Sequence, residues 1–424
     1  MGKILNYHRP IRMILLINII AFTLLYLYKE SYDYHTILFG LGVIGLINTA
    51  YFLLKWGSCG DEYLFLIVAM LVSIGIIMIY RLDKSLGIKQ ITWFVIGIVL
   101  FFLSYFVYQK FNFWDRLIYV YMGCSFILFL LTLLLGKNIQ GATNWIVVKG
   151  QSIQPSEIIK IFFVFFIASY YKHPEKLKIP PIPVNGKKIN IGSDIVLSAA
   201  AYMYMGFLVL QREWGSAVLF FIVYFTLLYV FENGKKILLI NGILAVLGGI
   251  GGFLFVHHIK VRVDVWLNPW KDIAGTGYQI TQSLFAIGSG GFFGRGIGLG
   301  SPKYIPEVQT DFIFSAICEE MGIFGGTAVV FLFFLLVYRG CKIAMEVENA
   351  FNKAVALGIT IMFGFQTFII IGGVIKLIPM TGITLPFVSY GGSSLTTSFI
   401  ALGILQAISK KAYEVEEELT VAKE

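Results

Sequence analysis

Twelve stretches of this chain stay apolar for about the twenty residues that a helix needs to cross a hydrocarbon core of roughly 30 Å. They run over 11–28, 36–54, 63–80, 91–108, 117–135, 157–171, 194–210, 217–232, 237–256, 312–338, 354–374 and 388–408. The period-two alternation of barrel strands is absent, so the pattern predicts helical spans. The expected fold class is an all-α polytopic integral membrane protein, with one long polar loop, 257–311, ahead of the tenth span.

Composition agrees. Of 424 residues, 58% are hydrophobic and 13% charged, and the mean hydropathy is +0.80. Too few polar groups are present to cover a water-soluble surface. The net charge of +9 would suggest nucleic acid in a soluble chain. Here basic loops at the inner surface and anionic membrane lipids explain it, and no nucleic-acid partner is expected. An even number of spans puts both termini on one side. That side collects Lys3, Arg9, Arg12, Lys55, Lys110, Arg116, Lys235, Lys236, Arg339, Lys410, Lys411, Lys423 and the five lysines of 172–193, which makes it cytoplasmic. Segments 136–156, 257–311 and 375–387 then face outward. The loop 172–193 reads as a solvated connector, and 411–424 as a mixed-charge cytoplasmic tail that frays. The first apolar run lacks a small-residue cleavage site and is read as a retained span. The four cysteines, Cys59, Cys124, Cys318 and Cys341, show neither metal-ligand nor disulfide spacing.

Candidate chemistry gathers in the outward segments, whose irregular, glycine-rich backbone suits the lining of a wet cavity. Asp311 lies in Pro306–Phe314, where the long loop turns into an apolar span at a helix N-terminus. A carboxylate at that depth is costly without a partner or a task. In Gln154-Pro155-Ser156-Glu157-Ile158-Ile159-Lys160, proline suits a first helical position and Glu157 its first turn. Glu157 and Lys160 share a helix face, either as an ion pair that lets a helix end be buried or as a substrate contact. Trp145 reads as an interfacial anchor. The turn Gln211–Ser216, holding Arg212 and Glu213, reads only as a membrane boundary. Lys260–Leu267 alternates charge with apolar bulk, as an element lying in the interface does. The run Gly288–Gly300 has neither the preceding strand nor the Gly-Lys-Ser/Thr of a nucleotide loop, so tight re-entrant packing is the better reading.

The motifs GATNWI, QPSEIIK, QREWGSA, GYQITQSLFAIGSGGFFGRGIGLG, IPEVQTDFIFSAICEEMG and PMTGITLPFVSYGGSS, in this order, resemble the SEDS family of the RodA, FtsW and SpoVE type over roughly residues 60–410. The resemblance implies a ten-span core over 59–410 with an added two-helix segment, 1–58. Departures fall at Arg212 and Glu213, where aspartate and often proline are usual, at Asn144, where arginine is common, and at Ile370, where asparagine is frequent.

The function implied is a peptidoglycan glycosyltransferase that polymerises lipid II outside the cytoplasmic membrane with a class B penicillin-binding transpeptidase. It implies Asp311 as the general base. Lys160, Arg262 and Arg295 would be the cations near pyrophosphate, with Glu157 orienting Lys160. Gln154, Ser156, Thr310, Glu307, Ser389 and Ser393 complete the implied substrate contacts. No cofactor is identified, and although a divalent cation (Mg or Mn) suits a pyrophosphate, no ligand cluster shows one. Elongation, division and sporulation roles are not separated. A scaffold for the transpeptidase and a lipid II flippase are the alternatives. The first needs Asp311 to be dispensable, and the second lacks support from any inverted repeat.

Overall fold

The computed structural model describes residues 9–27, 33–139, 142–148, 150–184, 187–189, 192–232 and 234–421. Lys3, Gly141 and Lys423 lie outside the described residues. Among the described residues the chain forms α1 (Arg9–Leu27), α2 (Tyr34–Trp56), α3 (Glu62–Leu82), α4 (Lys84–Lys110), α5 (Ile118–Leu135), α6 (Pro155–Lys172), α7 (Ser193–Leu210), α8 (Trp214–Phe231), α9 (Lys235–Phe255), α10 (His257–Leu267), α11 (Tyr278–Gly290), α12 (Ile313–Glu346), α13 (Ala350–Val374) and α14 (Gly392–Val421). Eleven of them, all except α6, α10 and α11, are long and apolar enough to cross a membrane. The remaining expected span is α6, a helix of 18 residues that carries Glu157, Lys160 and Lys172. The chain is a polytopic, predominantly helical membrane protein.

Several boundaries depart from the apolar pattern, each where polar sequence still satisfies its own backbone. Inside the expected loop 257–311 stand α10 and α11. Segment 136–156 folds as an antiparallel meander of β1 (Lys137–Ile139), β2 (Ala142–Val148) and β3 (Gln151–Ile153), with Ile146 opposite Ile153. Its β-branched residues suit a pleated, half-buried surface. The connector 172–193 contains a hairpin of β4 (Ile182–Val184) and β5 (Lys187–Ile189). Beyond 408, α14 runs on to Val421, through Ala, Glu, Leu and Lys with no glycine or proline to stop it.

The chain divides into two compact units. The first comprises Met1–Tyr105, Asp264–Arg339 and Gln366–Glu424. Its centre is α3, buried over 89% of its span, with Phe65, Phe94, Phe101 and Phe399 fully enclosed. Helices α1 and α2 dock on α3 through buried polar contacts, where an unpaired group would be costly. Asn18 Nδ2 donates to Ser73 Oγ at 3.0 Å, and the Thr36 and Tyr80 hydroxyls meet at 3.0 Å.

The second unit comprises Phe106–Val263 and Gly340–Phe365. An aromatic cluster forms its core: the Phe163 ring lies 4.7 Å from Phe220 and 5.0 Å from Tyr204. A buried polar contact ties α7 to α8, with Ser198 Oγ 2.7 Å from the Tyr224 hydroxyl.

Candidate active site

In the first unit, Asp311 sits on a clamped turn. The helix begins at Ile313, so Asp311 stands two residues ahead of α12 rather than inside its first turn. The reason lies at Glu307, whose backbone is left-handed (φ 54°) and turns its carbonyl back on the chain. That carbonyl accepts the N–H groups of Thr310 (3.2 Å), Asp311 (3.1 Å) and Phe312 (3.4 Å), and the Thr310 hydroxyl (3.2 Å). The backbone therefore builds the turn and leaves the Asp311 side chain half-buried at its tip.

The segment ahead of α14 holds this turn from outside. Tyr390 N–H donates to Gln309 O at 2.8 Å, and Ser389 Oγ donates to Thr310 O while accepting Leu385 N–H at 3.0 Å. Gln90 Nε2 in turn donates to Ser389 O at 3.2 Å. The structure thus brings together Glu307, Thr310, Asp311 and Ser389. Ser393 lies in the first turn of α14, where its carbonyl accepts the Thr396 and Thr397 hydroxyls.

Below this turn α12 is broken. Gly322 has φ 68° and ψ −170°, a conformation essentially reserved for glycine. The glycine-rich segment after α11 takes up the freed backbone groups. Arg295 and Gly296 N–H donate to Glu319 O and Glu320 O at 2.9 and 3.0 Å, while Ile323 N–H donates to Gly291 O at 2.9 Å. Close backbone packing against the break in α12 is therefore what this segment does. Arg295 stands at the break, about half exposed, with Nη1 3.9 Å from Glu319 Oε1. It lines a pocket of about 280 Å³ together with Gln282, Ser289, Ser301, Tyr304 and Glu319.

In the second unit, the start of α6 carries a buried charge cluster. Proline at its first position leads into Glu157 and Lys160, whose Oε1 and Nζ lie 2.8 Å apart, with both side chains less than a tenth exposed. Glu213 joins them, although its turn reads in sequence as a mere boundary. Its Oε1 accepts from Gln154 Nε2 at 3.0 Å and from Ser156 Oγ at 3.1 Å, and Arg212, left-handed at φ 62°, makes the corner that turns it inward. Burial raises the Glu213 carboxyl above the ordinary carboxylate range. Ser156, Gln154 and Asn144 oppose that shift, and the neighbouring Glu157 adds to it. Arg262 is exposed on α10, near His258, whose imidazole burial holds below its usual value with Arg262 and Arg212 adding to the shift.

Besides Glu213, sequence reasoning passed over Arg81, Glu319 and Glu320. The available signals were an arginine ending an apolar span and two adjacent carboxylates inside another. Among the described residues no group of three or more His, Cys, Asp or Glu side chains is placed to hold a metal ion. Buried Glu157 and Glu320 are paired with Lys160 and Arg81, and Glu319 and Glu320 also accept backbone N–H groups.

A many-spanning membrane protein with a carboxylate presented on a loop clamped to the helix bundle is the class these observations define. The sequence pattern of the FtsW/RodA/SpoVE family, described as cell cycle protein, matches residues 61–414, and the chain belongs to that family. The match begins beyond α1 and α2. The chain is 35% identical over 370 residues to the stage V sporulation protein E of Bacillus subtilis, covering 82% of this chain and 97% of that protein. It is 32% identical over 390 residues to the peptidoglycan glycosyltransferase RodA of Mycobacterium bovis, covering 88% of this chain and 83% of that protein. Among solved structures it resembles a chain from work on polymerization and crosslinking by a peptidoglycan synthase complex. That match has TM-score 0.68 and 26% identity, and covers 84% of this chain and 99% of the other.

Proposed function

We propose that this chain is a peptidoglycan glycosyltransferase that polymerises lipid II at the outer face of a bacterial cytoplasmic membrane, with both termini inside. Family membership and the relative named peptidoglycan glycosyltransferase RodA support the reaction class. The excess of lysine and arginine in the inner loops supports the orientation.

In the reaction, the 4-hydroxyl of an incoming sugar attacks the anomeric carbon of the growing chain. Undecaprenyl pyrophosphate leaves with the bonding electron pair, and configuration inverts from α to β. Asp311 takes the hydroxyl proton. So good a leaving group needs no acid, so one base suffices, contributing about 10²–10⁴-fold in rate. The observation that supports this assignment is the turn itself: backbone bonds to Glu307 O fix the position of Asp311 at a half-buried place ahead of α12.

Positive charge is needed where the pyrophosphate departs. Lys160, Arg262 and Arg295 have that role, and Glu157 orients Lys160. Gln154 and Ser156, beside Lys160 at the start of α6, contact substrate, and Glu307, Thr310, Ser389 and Ser393 line the region of Asp311. The partner is a class B penicillin-binding transpeptidase, a reading supported by the similarity to a chain of a synthase complex that couples polymerization to crosslinking.

Purified protein given lipid II, alone and with a cognate transpeptidase, is expected to produce glycan ladders. Silence in both conditions, with lipid II crossing vesicle membranes instead, would move the assignment to a flippase. Silence in both, with the transpeptidase bound and active, would move it to a scaffold.

A further inference from the structure

Arg81 ends α3, and nothing in the reaction above uses it. Its side chain is 6% exposed and that of Glu320 is 0% exposed, with Arg81 Nε 2.6 Å from Glu320 Oε1. The second arm of the guanidinium is also engaged: Nη2 donates to Gly298 O at 3.1 Å and to Gly300 O at 2.7 Å. Glu320 Oε2 accepts Gly298 N–H at 2.9 Å. One planar fork therefore grips both the helical segment that follows Asp311 and the glycine-rich segment that repairs the break in α12. A lysine, with one point charge, cannot hold a carboxylate and two carbonyls in that geometry.

The preceding residue is held from the opposite side. The Tyr80 ring stacks on Phe39 at 4.1 Å, its hydroxyl meets Thr36 Oγ1 at 3.0 Å, and Lys84 pairs with Asp33 at 2.7 Å. Thr36 and Phe39 belong to α2, which lies outside the family match.

We infer that Arg81 is a positioning residue for Asp311, and that the added α1–α2 pair braces it through Tyr80. The chain of contacts is short. Helix α2 fixes Tyr80, α3 carries Arg81 beside it, Arg81 fixes Glu320, and Ile313–Met321 runs as one unbroken stretch of helix up to the turn that presents Asp311. This inference rests on the glycosyltransferase reading. A buried pair of this kind holds one arrangement more than it stabilises the fold, since apolar replacements are often no less stable.

The test compares wild type with Arg81→Lys and with Thr36→Val/Phe39→Leu, each checked for an unchanged thermal midpoint. Polymerisation of lipid II by Arg81→Lys is expected to show kcat lower by about ten- to a hundredfold, the scale of a misplaced reacting group, with KM for lipid II little changed. The α2 double variant is expected to show the same signature, more weakly. Amide exchange at Gly296 and Gly298 should accelerate by about tenfold in Arg81→Lys, an effect confined to the gripped segment. An active wild type with Arg81→Lys of equal kcat would overturn the positioning role alone. A fall in kcat that tracks lost folded protein would overturn it too. A wild type that makes no glycan strikes the glycosyltransferase reading, and the positioning role falls with it.

Discussion

Two carboxylate sites, the Asp311 turn in the first unit and the start of α6 in the second, are built differently. In the first, backbone bonds build the turn: three N–H groups converge on Glu307 O, with Asp311 at its tip. In the second, side chains do it. Glu157 is paired with Lys160 at 2.8 Å, and Glu213 is enclosed by Gln154 and Ser156 with its second oxygen unpartnered. The contrast teaches where chemistry can sit. The backbone bonds of the Asp311 turn do not depend on a carboxylate's charge, whereas at the start of α6 the carboxylates are themselves the support.

That difference can be broken from the second unit first, where the larger effects on folding are expected. Lys160→Met leaves the Glu157 carboxylate buried without its ammonium, which typically costs about 3–5 kcal/mol. Thermal unfolding in detergent should show a large drop, and Glu157→Gln/Lys160→Met should recover much of it. Recovery of stability without recovery of polymerisation would assign Lys160 to substrate as well as to Glu157.

A smaller effect is expected at Glu213, and it has a sign. Burial raises its carboxyl from an ordinary value of 4.5, so the folded state binds this proton more tightly than the unfolded chain. The stability it contributes is present below about 4.5 and is lost as pH rises through the raised value. Glu213→Gln keeps the acceptor oxygen and removes the titration. Its thermal midpoint should approach that of wild type in acid and exceed it by a few degrees at neutral pH. Parallel curves across that range would contradict a raised Glu213 carboxyl that loses its proton within it.

Local signals carried the sequence reading a long way. Among the described residues the twelve apolar runs fall on twelve helices, eleven of them long and apolar enough to cross a membrane, because length and hydropathy act without reference to neighbours. The Glu157–Lys160 pair was legible for the same reason, since a spacing of three sets a shared helix face. Contacts that join distant segments stayed hidden. Arg81 meets Glu320 across 239 positions of sequence, and no periodicity announces such a partner. Glu213 looked like a boundary marker because its inward turn depends on the left-handed backbone of Arg212. The break at Gly322 was masked because the apolar run continues beyond it from Ile323, so that 312–338 reads as one continuous span.

Asp311 is the centre of the account, and the direct measurement is the turnover of lipid II by wild type, Asp311→Asn and Asp311→Glu at matched folded concentration. The account predicts that Asp311→Asn stays folded, because the backbone bonds to Glu307 O are untouched, while kcat falls by about 10²–10⁴-fold. Asp311→Glu should retain part of the rate, since it keeps a base that is displaced by one methylene. Undiminished glycan ladders from well-folded Asp311→Asn would contradict the assignment of the base.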